Sequence, residues 1–216
     1  MTNYFSKFAT AAAYNSAKSS LTTPHVSLIE DTRKIYYEPY VDPYAGHAYV
    51  DLGLPSGTKW ATMNVGASSE TDYGNYYQYG KGAAQYAETY GGSIYSGVEN
   101  PLATSADTAA QVWGSSWHMP TQTQFEELTA NTTYEWTTIG GARGGKFTAQ
   151  NGNYVFFPAA GRWHDGRQGD VGNGGYYWGS SPDGSDYAFY LYFDDGFTNV
   201  DDYHREFGCP VRPVVG

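Results

Sequence analysis

From residue 47 to its end the chain is cut by glycine into short, tyrosine-rich runs, and one island near 104–131 departs from that pattern. Such punctuation leaves little room for long amphipathic helices. It suits short strands joined by turns and packed loops. With 216 residues the chain fits one domain plus a small extension. Aromatic residues make up 18% and charged residues only 16%, the opposite of a disordered chain. Twelve Lys and Arg against 22 Asp and Glu give a formal charge of −10, which opposes nucleic-acid binding. No apolar run reaches the ~18 residues of a membrane span, so no membrane insertion is expected. The first twenty residues lack a basic start followed by an apolar core, so no ordinary secretion signal is expected.

Residues 1–45 differ from the rest. Tyr4, Phe5, Phe8, Ala12 and Tyr14 give a rough helical stripe, predicting a short helix within 1–23. It would either pack on the main body or serve attachment or oligomerisation. His25–Ile29 and Lys34–Tyr37 predict a hairpin across Glu30–Arg33. Pro39, Pro43 and Gly46 then mark a boundary, dividing the chain into an extension at 1–45 and a domain at 46–216. Within the domain, Tyr49–Leu54 and Lys59–Val65 predict strands around Pro55-Ser56-Gly57, and 66–103 reads as long packed loops. The island predicts two helices, near 104–113 with Thr104 or Ser105 as cap, and near 121–131 with a Thr121–Gln124 capping box. Beyond it, Tyr134–Thr138, Gly145–Ala149, Asn153–Pro158, Tyr187–Phe193 and Val211–Val215 predict strands. The Asn151-Gly152 pair predicts a hairpin turn.

Catalytic signatures are missing. There is no nucleophile elbow, phosphate loop or His-Glu-x-x-His pattern, and His25, His47, His118, His164 and His204 show no ligand spacing. One cysteine, Cys209, excludes an internal disulfide and a cysteine-based zinc site. Carboxylates crowd the last quarter. Asp194-Asp195-Gly196 and Asn199–Asp202 are oxygen-rich enough for calcium but do not match the EF-hand spacing, and solvated loop charge accounts for them. No cofactor is therefore expected. The same region has no lysine after Lys146, and between Trp163 and Phe207 it has no methionine, one Glu and one Gln. Asp, Tyr, Asn, Gly, Ser, Phe and His abound there instead. These are the residues reached from an asparagine codon ending in a pyrimidine when its adenines are replaced.

Several motifs carry a family resemblance. Tyr49–Gly57, Lys59-Trp60-Ala61 and Asn64–Ala67 come first, then Trp117–Thr121 with Phe125–Leu128. Phe157–Gly161, Tyr177–Ser181 and Gly208–Val214 follow. Together, over about 49–216, they resemble the variable proteins of diversity-generating retroelements in Bacteroidales and their phages. These are related in fold to formylglycine-generating enzymes. His118 stands where the related motif has Arg, and Cys209-Pro210 where it has Phe-Ser. The resemblance implies an α+β, C-type-lectin-like fold with two helices, a mainly antiparallel twisted sheet and long loops, behind the small N-terminal extension. It implies a variable region at about 162–207, rewritten by a reverse transcriptase that copies with adenine errors.

The implied function is ligand or receptor binding, not catalysis, on a phage tail or at a bacterial cell surface. The partner would be a protein or glycan on a bacterial surface, and the chain would form a homo-oligomer such as a trimer or join a larger assembly. A cell-surface adhesin and a structural domain using its aromatic surface for subunit contacts are the alternatives. The copper-dependent enzyme relatives use a pair of cysteines, and Cys209 is alone. The resemblance assigns Tyr177, Trp178, Ser180, Ser181, Ala188, Leu191, Phe193, Val200, Arg205, Gly208 and Val211–Pro213 to a frame. The ligand-binding positions between them are Tyr176, Asp183, Asp186, Tyr187, Phe189, Tyr190, Tyr192, Asp194, Asp195, Phe197, Asp201, Asp202, Tyr203 and His204. Ten of them, Tyr176, Asp186, Tyr187, Phe189, Asp194, Asp195, Phe197, Asp202, Tyr203 and His204, are expected to gather on one exposed face, with tyrosine supplying rigid contact area and aspartate favouring basic or polyhydroxylated targets.

Overall fold

The computed structural model describes residues 4–8, 25–29, 34–38, 46–83 and 94–216, the first three segments as backbone strands alone. The chain divides into two units, Met1–Gly46 and His47–Gly216. In the first, β1 (Tyr4–Phe8) runs parallel to β2 (His25–Ile29), which pairs antiparallel with β3 (Lys34–Glu38). The predicted hairpin strands are present, with Ile29 opposite Lys34. The helix expected within 1–23 is corrected at Tyr4–Phe8, where aromatic, β-prone residues pair along β2. The alanine-rich remainder of that stretch, and the turn at Glu30–Arg33, lie outside the described residues.

The second unit is α+β and mostly strand. Its named strand pairs are all antiparallel, with no parallel βαβ unit among the described residues. Strands β4 (Tyr49–Asp51), β5 (Lys59–Ala61) and β14 (Val214–Val215) form one sheet in the order β14-β5-β4, so the chain's last strand closes against one of the domain's first. A second sheet joins β6 (Thr132–Ile139), β7 (Ala142–Ala149) and β8 (Tyr154–Pro158) in sequence order. The short pair β9 (Arg162–His164) and β10 (Arg167–Gly169) is followed by a third three-stranded sheet. That sheet holds β11 (Gly174–Asp183), β12 (Tyr187–Asp194) and β13 (Phe197–His204), again in sequence order. One main sheet was expected; glycine-rich turns instead divide the strands among four small ones. The Asn151-Gly152 turn joins β7 to β8 with Gly152 at φ +84°, a left-handed position that glycine adopts without strain.

Both predicted helices form, with one change. Helix α1 (Thr108–Trp113) starts later than expected because Asp107, not Thr104 or Ser105, caps it. The Asp107 carboxylate accepts from Ala110 N at 3.0 Å and also from Met119 N at 2.8 Å, so one acid caps the helix and ties down the chain beyond it. Helix α2 (Gln122–Asn131) begins with the Thr121–Gln124 capping box. Its Phe125 and Leu128, three residues apart, enter the core together. There they meet Trp60 of β5, Phe147 of β7, Phe157 of β8, Tyr177 of β11 and Leu191 and Phe193 of β12. The Phe193 ring packs edge-on against Phe147 and Phe157 and stacks on Tyr177. Gly175 makes room for it, since a Cβ there would lie 2.0 Å from Phe193 Cζ. No helix among the described residues is long and apolar enough to cross a membrane.

Candidate functional site

Side chains alternate across a strand, so the register of β11–β13 decides which residues share a face. Tyr177, Leu191 and Val200 stand abreast, as do Gly175, Phe193 and Thr198, and this face meets the core. On the other face Tyr176, Tyr192 and Asn199 stand abreast, then Trp178, Tyr190 and Asp201, with Asp194 opposite Phe197 and Ala188 opposite Tyr203. A bulge between Trp178 and Pro182 shifts the register before the β11–β12 turn.

The ten residues expected on one exposed face therefore do not gather there, and that expectation is corrected. Tyr176, Tyr190, Tyr192, Asp194, Phe197, Asp201 and Tyr203 share the outer face. Tyr187, Phe189, Asp202 and His204, with Asp183 opposite Tyr187, fall on the core-side face beyond the core itself. Asp186 and Asp195 sit in the two hairpin turns. A strand of period two cannot present consecutive residues to one partner. Burial divides them further. Tyr176 and Tyr190 are only 9% and 8% exposed, so they form a packed base, whereas Tyr187 and Phe197 are 44% and 52% exposed. Tyr192 and Tyr203 are half-buried between these extremes.

The outer face is a continuous aromatic cluster. The Tyr176 ring lies 5.9 Å from Tyr190 in parallel stacking and 5.1 Å from Tyr192, and Tyr190 lies 5.0 Å from Tyr203. Trp178, fully buried, packs beside Tyr190 and Tyr203. Tyr192 also reaches Phe197, which extends the cluster to the exposed β12–β13 turn.

Sequence reasoning did not link the groups that edge this cluster to its tyrosines, although it assigned Arg205 to the frame. Arg162 of β9 places its guanidinium 4.6 Å from the Tyr176 ring centre and 5.9 Å from those of Tyr203 and Phe207. It pairs with Asp170, which also accepts from the Tyr176 hydroxyl at 2.9 Å. Phe207 lies 4.1 Å from Tyr203 and stacks on His164 at 4.2 Å. His164 Nε2 and His204 Nδ1 each approach Glu206 Oε1 at 3.4 Å. Arg205 is fully buried; its Nε donates to Tyr187 O at 2.8 Å, and its terminal nitrogens donate to Gly184 O, Tyr95 O and Gly97 O. It thereby clamps the β11–β12 turn to the loop at 95–97. No spacing in the sequence links Arg162 or Asp170 to the tyrosines they touch.

Burial dominates the electrostatics of the cluster. It pushes the Tyr190 and Tyr203 hydroxyls well above the ordinary tyrosine range, and Tyr176 likewise, helped by its bond to Asp170. Tyr192, which donates to Asp194 Oδ2 at 2.7 Å, is pushed up to about 12, mainly by burial. Burial also pushes the Asp170 carboxyl upward, but the Tyr176 hydroxyl and Arg162 outweigh it and hold the group below its usual range. The sign of the tyrosine effect is definite. A proton held more tightly in the folded state contributes stability that is full below the unfolded value of about 10 and is lost as pH rises past it. Urea melts at increasing pH are expected to show falling stability from about pH 10, with a shallower fall for Tyr192→Phe/Tyr203→Phe. An equal fall in that variant would mean these hydroxyls are not what the alkaline transition reports.

Among the described residues no group of three His, Cys, Asp or Glu side chains converges to hold a metal ion. Cys209 is buried, and burial drives its thiol far above the usual range, which suits packing and not nucleophilic attack. The arrangement offers contact area, hydroxyls and carboxylates. A family profile described as a domain of unknown function, DUF8237, matches residues 146–214, the segment from β7 to β14 that contains the whole cluster. No curated protein and no solved structure matches the chain.

Proposed function

We propose that the second unit is a C-type-lectin-like binding domain whose C-terminal sheet displays a retroelement-diversified surface, carried on a phage tail as a receptor-binding protein. One observation carries this reading. In β11–β13, buried positions such as Trp178, Ala188, Leu191 and Phe193 are interleaved with partly or fully exposed ones such as Tyr187, Tyr192, Phe197 and Asp201. A scaffold of this kind tolerates new side chains at the second set because folding depends on the first. Tyr192, Tyr203 and Phe197 supply stiff aromatic area, and Asp194, Asp195 and Asp201 supply acceptors that select hydroxyl-rich or basic surfaces.

Binding is tested with the fluorescently labelled chain on intact Bacteroidales cells. Tyr192→Ala/Phe197→Ala is expected to lose most of the binding while remaining folded at the assay temperature, since contact energy concentrates in a few central aromatics. Unchanged binding by that variant would overturn the proposed surface. The diversification half has a separate test in the source genome. An adjacent reverse transcriptase and a near-copy of the last codons differing at adenines are expected, and their absence would remove it.

A further inference from the structure

One arginine of the chain already rests against the tyrosine cluster. Arg162 lies 4.6 Å from the Tyr176 ring centre and pairs with Asp170, and the Tyr176 hydroxyl donates to Asp170 Oδ2 at 2.9 Å. Arg162 Nη1 donates to the same oxygen. The ring of Phe207, centred 5.9 Å from the guanidinium, adds an apolar side. A tyrosine, the carboxylate its hydroxyl bonds and a phenylalanine thus form a seat for a guanidinium. The ring attracts the cation, the carboxylate opposes its charge, and the phenylalanine offers contact to an aliphatic stem.

The same three parts recur beside it without a cation. Tyr192 stands opposite Tyr176 across the β11–β12 ladder, with the rings 5.1 Å apart. Its hydroxyl donates to Asp194 Oδ2 at 2.7 Å, and Phe197, opposite Asp194, lies 6.1 Å from its ring. Tyr192 and Asp194 are half-buried, and Phe197 is exposed. Among the described residues no lysine or arginine pairs with Asp194 or lies over the Tyr192 ring. The sheet itself has none to offer, since residues 174–204 contain six aspartates and no lysine or arginine. Asp195 and Asp201, both exposed, add to a negative field that draws cations and repels carboxylates and phosphates. The bond from the Tyr192 hydroxyl does not block the carboxylate, because Asp170 Oδ2 accepts from Tyr176 and Arg162 together.

We propose that Tyr192, Asp194 and Phe197 seat an arginine side chain of the partner protein, repeating between molecules the contact that Arg162 makes within this one. The proposal rests on the sheet being a receptor-binding surface, and it makes the partner a protein that presents arginine, not a glycan. A planar guanidinium can lie on the ring and bond the carboxylate at once. A lysine ammonium offers a single point of charge, and a neutral sugar offers none.

The test titrates the full chain with the blocked tripeptide acetyl-Gly-Arg-Gly-amide, following amide shifts by NMR. The same peptide with lysine or citrulline in place of arginine, and N-acetylglucosamine, are the comparisons. The arginine peptide is expected to shift Tyr192, Asp194 and Phe197, the lysine peptide to do so more weakly, and the citrulline peptide and the sugar to leave them unmoved. Asp194→Asn keeps the shape and an acceptor for the Tyr192 hydroxyl. It is expected to weaken the arginine peptide about tenfold, the equivalent of one hydrogen bond to a charged group, with no fall in melting temperature. Glu126→Gln, which removes the same charge from an exposed position of α2, is expected to bind as the parent does. On intact cells Asp194→Asn is expected to lose binding by a similar factor. If Tyr192→Ala/Phe197→Ala loses cell binding while Asp194→Asn keeps it, the display surface stands and the arginine seat is overturned. The seat is also overturned if the arginine peptide shifts none of these residues, or if the lysine peptide, the citrulline peptide or the sugar shifts them as strongly.

Discussion

Replacing Arg212 by methionine is expected to cost about 3–5 kcal/mol, because it leaves three buried acceptors without donors. In a domain of this size that corresponds to a melting temperature lower by roughly 10 °C. Arg212 is fully buried beside the last strand, and its guanidinium donates to Asn64 Oδ1 at 2.8 Å and to Ala61 O and Phe156 O at 3.0 Å each. Asn64 in turn donates to Tyr73 O and to the Tyr177 hydroxyl, and that hydroxyl donates to Pro158 O at 2.6 Å. One side chain thus links the chain's end to the β5 region, to β8 and, through Asn64, to β11. Burial pulls its pKa down to about 10, and the Phe157 face 4.8 Å away offsets part of the desolvation. Methionine fills similar space but leaves three acceptors without donors, each costing about 1–3 kcal/mol before relaxation. Denaturant melts of Arg212→Met beside Arg167→Met provide the check. Arg167 is exposed on β10, and its replacement is expected to stay within about 0.5 kcal/mol. Equal losses in the two variants would mean that Arg212 contributes nothing beyond surface charge.

That network also marks what the sequence could convey. The second helix was legible because its capping box and its Phe125–Leu128 spacing are local features. Strand β12 was legible because Tyr187–Phe193 is dense in aromatics. Strand β11 was hidden, since Gly174, Gly175, Gly179, Ser180 and Ser181 read as turn residues. Two of these glycines are needed for close approach: Phe193 lies across Gly175, and Pro120 O would be 2.9 Å from a Cβ at Gly179. Strand β13 was hidden for the opposite reason. It is the sheet's edge, and Asn199 and Asp201 face water there and dilute the strand pattern. Motif resemblance assigned the buried Trp178, Ala188, Leu191 and Phe193 to the frame, but it set Tyr176 and Tyr190 among the displayed residues, and both are buried. The partition of the displayed residues between two faces could not be read, because it depends on a register that the bulge beyond Trp178 alters. Arg162 and Asp170 were missed because tertiary contact alone brings them to Tyr176.

Trp178→Ala is expected to cost a similar 3–5 kcal/mol, as a fully buried aromatic truncation, and to abolish cell binding as well. The indole Nε1 donates to Tyr77 O at 3.0 Å, and the ring packs against Tyr79, Tyr190 and Tyr203. Trp178 stands beside Tyr190 on the same face, and Tyr190 packs against Tyr192 and Tyr203, so a cavity at Trp178 disorders the surface around it. The proper control is Tyr187→Ala/Asp195→Ala/Phe197→Ala, whose side chains are all exposed. Each of those changes is expected to lie within about 0.5 kcal/mol. Tyr203 does not belong in that control, although its sequence position groups it with the displayed residues. Its ring touches Phe207, Tyr190 and Trp178 and lies under Arg162, so Tyr203→Ala alone should be measurably destabilising. Denaturant melts of the four proteins settle the division. The expected order is the parent and the exposed triple together, Tyr203→Ala below them, and Trp178→Ala lowest. If the exposed triple unfolds as readily as Trp178→Ala, the displayed side chains are part of the core, and a surface free to diversify does not exist on this sheet.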